Sequence, residues 1–357
     1  MRESPYARAF DGKSVLVVGG AGFVGGNLVR TILAGSPDVS VFVIDNLLSA
    51  ERENVPKDPR IRFLEASISS EEALAEVEDR FDFIFHLATY HGNQSSIHDP
   101  MADHENNTLT TLKLLLRVRG YRRLEKFVYS SAGCGVAEKT FGEPTPTTED
   151  APVSLAQDSP YSISKIVGEF YSVYFHRQHG VPTVRARFQN VYGPGEILGA
   201  GIWRGTPATV WRNVTPTFVY KALKGFPLPL ENGGVASRDF IFVDDICHGL
   251  VACAFRGSPG DVYNLAGGTE TTIRELAESI NRLTGNPAGV EVMPGRAWDR
   301  SGRRFGSTEK AKRELGFLAS AGLMAGLGNT VAWTRENMDL IDRCIARHAD
   351  RMEKEPS

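Results

Sequence analysis

The feature that most constrains the fold is the run Val15-Leu16-Val17-Val18-Gly19-Gly20-Ala21-Gly22-Phe23-Val24-Gly25-Gly26-Asn27-Leu28. Its four leading apolar residues predict a buried parallel strand, its glycines a tight turn, and Leu28, Ile32 and Leu33 the inner face of a helix. Gly19, Gly22 and Gly25 follow a G-x-x-G-x-x-G spacing, a departure from the commoner dinucleotide turn G-x-G-x-x-G. A Cβ at these positions would keep a pyrophosphate from the backbone N–H groups and the helix N-terminus, and would hold helix and strand apart. The run therefore predicts a phosphate-binding strand-turn-helix, with an ordinary glycine turn as the alternative.

Further along, strand patterns alternate with helical ones. Val39, Val41, Val43 and Ile44 predict a second strand ending at Asp45-Asn46, about twenty residues beyond the turn, where a dinucleotide fold places a carboxylate on the adenosine ribose hydroxyls. A carboxylate there repels a 2′-phosphate and so implies NAD; Arg52 is the only nearby hint of NADP, and Asp-Asn is equally a turn signal. Ile61–Leu64, Phe81–Ala88 and Val181–Phe188 predict further strands, Lys126–Cys134 a strand that breaks into a small polar turn, and Asn106–Val118 a helix. Ser69 or Ser70 is placed to cap a helix ahead of Glu71-Glu72, and Ser159-Pro160 opens a helix that carries Tyr161 and Lys165. This alternation predicts an α/β fold with a doubly wound parallel sheet, whose ligands gather at the C-terminal strand ends. His86 closes one such strand and reads as a structural hydrogen-bonding group.

After Pro194 the periodicity lapses in a stretch rich in Trp, Pro and Gly, which predicts a lid-like substrate region. The expected division is 12–190 plus about 235–257 for the dinucleotide-binding domain, and 191–234 plus about 258–345 for a smaller interwoven α/β substrate domain. Segments 1–11 and 346–357 are expected to be tails.

At 357 residues the chain can bury a large core, and a net charge of -3 offers no electrostatic footprint for nucleic acid. Cys134, Cys247, Cys253 and Cys344 form no C-x-x-C pair and follow no metal-ligand spacing, so no metal is expected and a reduced compartment is. With no secretory leader pattern and no apolar run of bilayer length, a cytoplasmic location is expected.

Tyr161 and Lys165 are four apart on the predicted helix, so their side chains share one face. An ordinary phenol has a pKa of about 10, and a nearby ammonium favours the phenolate, which makes such a tyrosine a general base. An amphipathic surface helix is the alternative for the pair alone. The order of glycine turn, acidic residue, Ser130-Ser131 strand end and Tyr-Lys helix favours the redox reading.

In this combination the sequence resembles the extended short-chain dehydrogenase/reductases that act on nucleotide sugars, from about Lys13 to Trp333. The resemblance rests on Gly19-x-x-Gly22-x-x-Gly25, Asp45-Asn46, His86-Leu87-Ala88, Asn107, Ser130-Ser131, Tyr161-x-x-x-Lys165, Arg187-Phe188-Gln189-Asn190-Val191-Tyr192-Gly193-Pro194 and Arg238-Asp239-Phe240-Ile241-Phe242-Val243-Asp244-Asp245. It implies a Rossmann fold and tightly held NAD. Gly19, Gly22, Phe23, Val24, Gly25, Asp45, Asn46, Ser67, Ile68, Leu87, Ala88, Asn107, Tyr161 and Lys165 would meet the cofactor. Tyr161 would be the base, Lys165 would bridge the nicotinamide ribose and tune Tyr161, and Ser131 would share the sugar hydroxyl, with Ala132 as the other register. Asn190 would hold the substrate near its diphosphate, and Arg238 and Arg296 would pair with the phosphates through planar guanidinium forks. The resemblance also implies a homodimer built on the Asn107 and Tyr161 helices, whose apolar faces would equally suit covering the sheet.

The leading expectation, from the same resemblance, is C4 epimerisation of a UDP-sugar through a 4-keto intermediate. Similar 4,6-dehydratases place Asp-Glu after the strand-end Thr, and decarboxylases usually a Glu; here Ala132-Gly133-Cys134 stands in that space. A GDP-sugar 3,5-epimerase using Cys134 as acid/base is a further alternative, and an inert core thiol is the other reading of Cys134. A NAD-binding regulator without turnover is the alternative outside catalysis. Trp203, Arg204 and Arg212 fall in the Glu196–Thr217 segment expected to shape the sugar pocket, where an arginine would suit a uronate and packing is the other reading.

Overall fold

The computed structural model describes residues 6–136, 140–296, 299 and 302–353. Its strands are β1 (Ser14–Val18), β2 (Ser40–Asp45), β3 (Ile61–Glu65), β4 (Phe83–His86), β5 (Lys126–Ala132), β6 (Thr183–Phe188), β7 (Asn190–Tyr192), β8 (Leu228–Glu231), β9 (Ser237–Phe242), β10 (Val262–Leu265), β11 (Glu270–Thr272) and β12 (Val290–Met293). Seven of them form one parallel sheet in the order β10-β6-β5-β4-β1-β2-β3. This is the doubly wound α/β architecture. Alternation along β1 explains its burial on both faces: Val15 and Val17 enter one apolar cluster, Leu16 and Val18 the cluster across the sheet.

The helices form where the sequence caps them. Ser70 Oγ accepts from Ala73 N at 3.2 Å and opens Glu71–Glu76. Ser159 Oγ accepts from Ser162 N at 3.3 Å, Pro160 fills the first position of Pro160–His179, and Gly180 ends it at φ 69°. The helix expected from Asn106 is interrupted: a π-helical turn spans His104–Leu109 and regular α-helix runs only over Thr110–Val118. The wide turn coincides with Asn107, whose amide is pulled into the hydrogen bonds described below.

The second lobe has a three-stranded sheet, β11-β9-β7, and a parallel pair, β12-β8. Helices Val214–Leu223, Ile273–Thr284 and Leu323–Glu336 enclose its core of Phe218, Leu228, Leu276, Ile280 and Leu327. Thr272 caps the middle helix through a reciprocal bond with Glu275.

Two expected boundaries shift. Val262–Leu265, assigned from the sequence to the substrate domain, is the edge strand of the large sheet, paired with β6. The described parts of the expected tails are packed: Phe10 lies edge-on to Phe83 and Phe85, and buried His348 meets the Gly199 carbonyl at 3.0 Å. No helix among the described residues is long and apolar enough to cross a membrane.

Candidate active site

The strand order reverses at β1, which lies between β2 and β4, and this opens a crevice beyond their C-terminal ends. A cleft of about 1600 Å³ runs from it to the second lobe. At its first end the glycines let helix, strand and loop approach closely. Gly19 sits at φ +85°, and a Cβ there would come within 2.5 Å of Ala88 N. A Cβ on Gly25 would collide with the Gly19 carbonyl. Helix Phe23–Gly35 starts with no side-chain cap and no acidic residue in its first turn, so its N-terminal N–H groups remain suited to an anion.

Asp45 ends β2 at the cleft wall, and its Oδ2 accepts from Ala21 N at 2.9 Å. Burial raises its pKa, with the backbone bonds from Leu47, Ala21 and Gly22 opposing. Asn54, absent from the sequence-derived site, donates through Nδ2 to the Ala21 and Gly22 carbonyls at 3.0 Å and fixes the turn. Phe23, Val24, Asn46, Ser67, Ile68, Leu87 and Ala88 all line the cleft. These residues fit a dinucleotide: a glycine cradle, an uncapped helix start and a carboxylate at the second strand end.

Asn107 departs from expectation. It is buried outside the cleft lining, accepts from Tyr90 N at 2.6 Å and Thr89 Oγ1 at 3.0 Å, and donates to Asp103 Oδ1 at 2.7 Å and Ser164 Oγ at 3.1 Å. It therefore ties the loop after β4 to the Tyr161 helix. His86 is structural: it meets Thr111 Oγ1 at 3.0 Å, and burial lowers its pKa to about 3.

Tyr161 and Lys165 lie on the cleft wall beyond β4 and β5. Lys165 Nζ donates to the Ser130 carbonyl at 3.0 Å and stands 5.9 Å from the Tyr161 ring centre. Burial raises the Tyr161 pKa, with Cys134 acting in the same direction. Burial lowers that of Lys165 to about 8, against the pull of Asp103. His91, also missed in the sequence, lies edge-on to Tyr161 with ring centres 5.8 Å apart. Its position in the loop after β4, at a C-terminal strand end, was the available signal.

Ser131 lines the cleft together with Ser130 and Ala132. Its hydroxyl donates to Glu169 Oε1 at 2.5 Å, and Glu169 in turn holds Arg187. Strand alternation sends Tyr129 and the Ser131 hydroxyl toward helix Pro160–His179. Cys134 lines the cleft, with Sγ 3.9 Å from Ser162 Oγ.

On the second lobe Asn190, Arg238 and Arg296 line the cleft, as expected. Arg238 Nη1 donates to the Ser237 and Gly302 carbonyls at 2.7 and 2.8 Å, and its Nη2 lies 4.0 Å from Asp299. Arg296 pairs with Glu231. In the segment after Pro194, Arg204 donates to the His91 carbonyl at 2.6 Å, and Arg212 to the Ser49 and Ala200 carbonyls at 2.8 and 2.7 Å. Both arginines brace the wall. Among the described residues no cluster of His, Cys, Asp or Glu has the makings of a metal site.

Residues 15–266 match the family described as NAD dependent epimerase/dehydratase. A crystal structure of the Bordetella bronchiseptica enzyme WbmF in complex with NAD+ and UDP is 59% identical, with a TM-score of 0.88 over 98% of this chain and 100% of that one. A UDP-glucose 4-epimerase from Mycolicibacterium smegmatis is 32% identical over 90% of this chain and 98% of its own length. A dTDP-glucose 4,6-dehydratase from Streptomyces niveus is 30% identical over 90% and 93%.

Proposed function

Since the chain belongs to the NAD-dependent epimerase/dehydratase family, we propose that it inverts C4 of a UDP-linked sugar through a 4-keto intermediate. Its cofactor is NAD. The observation that carries the reading is the makeup of the reaction centre: Tyr161 and Lys165 share the cleft wall, and the strand end beside them is Ala132-Gly133-Cys134, without a carboxylic acid. Elimination of water across C5 and C6 calls for a further acid and base, which that strand end does not supply. The UDP complex of the relative at 59% identity supports uridine as the nucleotide.

In this reading the Tyr161 phenolate takes the proton of the C4 hydroxyl and later returns it. Burial holds the phenol protonated, so the base form needs a compensating charge, and Lys165 is the protein cation 5.9 Å from its ring centre. Bound NAD supplies the positive nicotinamide, the hydride acceptor at C4 and the hydride donor to the opposite face. Asn190, Arg238 and Arg296 hold the diphosphate. The 4-keto sugar then has to turn over while its nucleotide stays anchored.

The test is incubation of the purified protein with UDP-glucose, UDP-glucuronate, UDP-N-acetylglucosamine and GDP-mannose, with and without added NAD, and chromatography of the products. A C4 epimer of at least one UDP-sugar is expected. A 4-keto-6-deoxy product would select the dehydratase, and no conversion of any substrate would sink the reading. Tyr161→Phe should lower kcat by about 10²–10⁴-fold with NAD still bound. A second reading rests on Cys134 in the cleft: 3,5-epimerisation of a GDP-sugar would wash solvent deuterium into C3 and C5, and Cys134→Ser would stop the exchange.

A further inference from the structure

Among the described residues the Arg304 side chain has no hydrogen-bond or ion-pair partner, although it lines the cleft and is half-buried. Its neighbours are all engaged. Arg303 forms a fork with Glu270 at 2.7 and 2.9 Å, Arg238 faces Asp299, and Arg296 pairs with Glu231. The backbone is fixed as well: Arg304 N donates to Ser237 Oγ at 3.3 Å, and Gly306 N to Asp239 Oδ2 at 3.1 Å. Successive side chains of this extended segment point opposite ways, Arg303 to Glu270 and Arg304 into the cleft.

Two observations place the Arg304 segment between the diphosphate-side Arg238 and the strand end beside the reaction centre. A Cβ on Gly306 would lie 2.9 Å from Gln189 Nε2, and one on Gly133 would collide with the same atom, so the Arg304 segment packs on the end of β5 just before Cys134. The Arg238 guanidinium, lowered to about 9 by burial first, is repelled by Arg304 and attracted by Cys134, so it stands within range of both. A half-buried guanidinium with no protein partner is placed to meet an anion in the cleft, and its planar fork fits a carboxylate.

We propose that Arg304 binds a carboxylate carried by the sugar moiety of the nucleotide-sugar substrate, so that the preferred substrate is an acidic sugar nucleotide. The proposal rests on the UDP-sugar reading and adds the substrate class. The carboxylate is available from two sources, C6 of a hexuronate or an ether-linked acid at C3, and UDP-glucuronate and UDP-N-acetylmuramate represent them. Binding of each, and of UDP-glucose, to the NAD-loaded protein is measured by calorimetry for wild type, Arg304→Gln and Arg304→Lys. Wild type should bind at least one acidic sugar nucleotide about tenfold or more tightly than UDP-glucose, and Arg304→Gln should reduce that preference by about 10–100-fold. Arg304→Lys should restore part of it.

If Arg304→Gln weakens all three ligands by the same factor, Arg304 contacts the diphosphate and the proposal falls. It falls equally if wild type does not discriminate. Carboxylate-dependent binding without turnover would count against the epimerase reading and leave Arg304 standing, because the binding ratio needs no catalysis.

Discussion

Burial pushes the Lys165 ammonium down to about 8, while the carboxylate of Asp103 and the thiol of Cys134 act in the opposite direction. Asp103 is itself buried, which raises its pKa, while Lys165 and the Asn107 amide at 2.7 Å oppose the rise; its ionised form is the anion placed to keep Lys165 charged. The Lys165 cation is present below its pKa and is lost as pH rises through about 8, so kcat/KM should fall on the alkaline side there. Asp103→Asn keeps an acceptor for Asn107 and removes the charge. It should move the alkaline limb to lower pH by about one unit. A variant that loses thermal stability while its pH profile stays in place would show that Asp103 is only structural. None of this was legible in the sequence, which shows Asp103 as one acid in a polar helix and gives no distance to Lys165. Tyr161 and Lys165 were legible because one helical turn separates them. The Glu169 partner of the Ser131 hydroxyl is not legible in the sequence, because it depends on where β5 ends against the helix.

The helix Pro160–His179 is inverted relative to an ordinary surface helix. It buries Lys165 and Glu169, and it exposes Ile163, Phe170 and Tyr174, each at least half accessible. Leu116, on the neighbouring helix Thr110–Val118, is 47% exposed. The polar buried face is explained by the cleft and by the Glu169–Arg187 pair at 2.8 Å, but an apolar outer face on the same helix calls for a cover. A second copy of the chain would supply one by placing the same row against itself about a two-fold axis. The expected outcome is a dimer in sedimentation equilibrium at micromolar concentration, and a monomer for Phe170→Glu with the far-UV spectrum unchanged. A wild-type protein that sediments as a monomer over that range would refute it. From the sequence, the Leu pattern of the neighbouring helix suited either the sheet or a partner. Packing divides it: Leu114 and Leu115 enter the core under the sheet, and Leu116 turns outward.

Across the whole molecule, the two ends of the sequence meet over the cofactor end of the cleft. Glu51, in the loop just after Asp45, pairs with Arg347 at 2.8 Å and accepts from Gly201 N at 3.0 Å. Arg212 ties Ser49 to Ala200, and Ile197, Leu198 and Ala200 pack on Ile341 and Cys344 of the helix Met338–Ala346. Three distant segments thus form one layer, and Ser49, Glu51, Ile197 and Ala200 from two of them line the cleft. Such a contact set is invisible to periodicity, since no local pattern relates residue 51 to residue 347, and the 346–357 segment read as a tail for that reason. The expected consequence is kinetic: a dinucleotide held at Gly19–Gly25 would leave past this layer, whose stability would then limit release. Arg347 is substantially exposed, so its pair with Glu51 is screened and contributes about 1 kcal/mol or less. Glu51→Ala removes both the ion pair and the acceptor for Gly201, and should speed NAD dissociation about 5–10-fold, since a hydrogen bond to a charged group adds to the ion pair. The rate is read by dilution of the NAD-loaded protein into excess NADH, which fills each emptied site and reports by its fluorescence. A release rate equal to wild type would mean that the layer opens for other reasons, and that the glycine turn and Asp45 alone retain the cofactor.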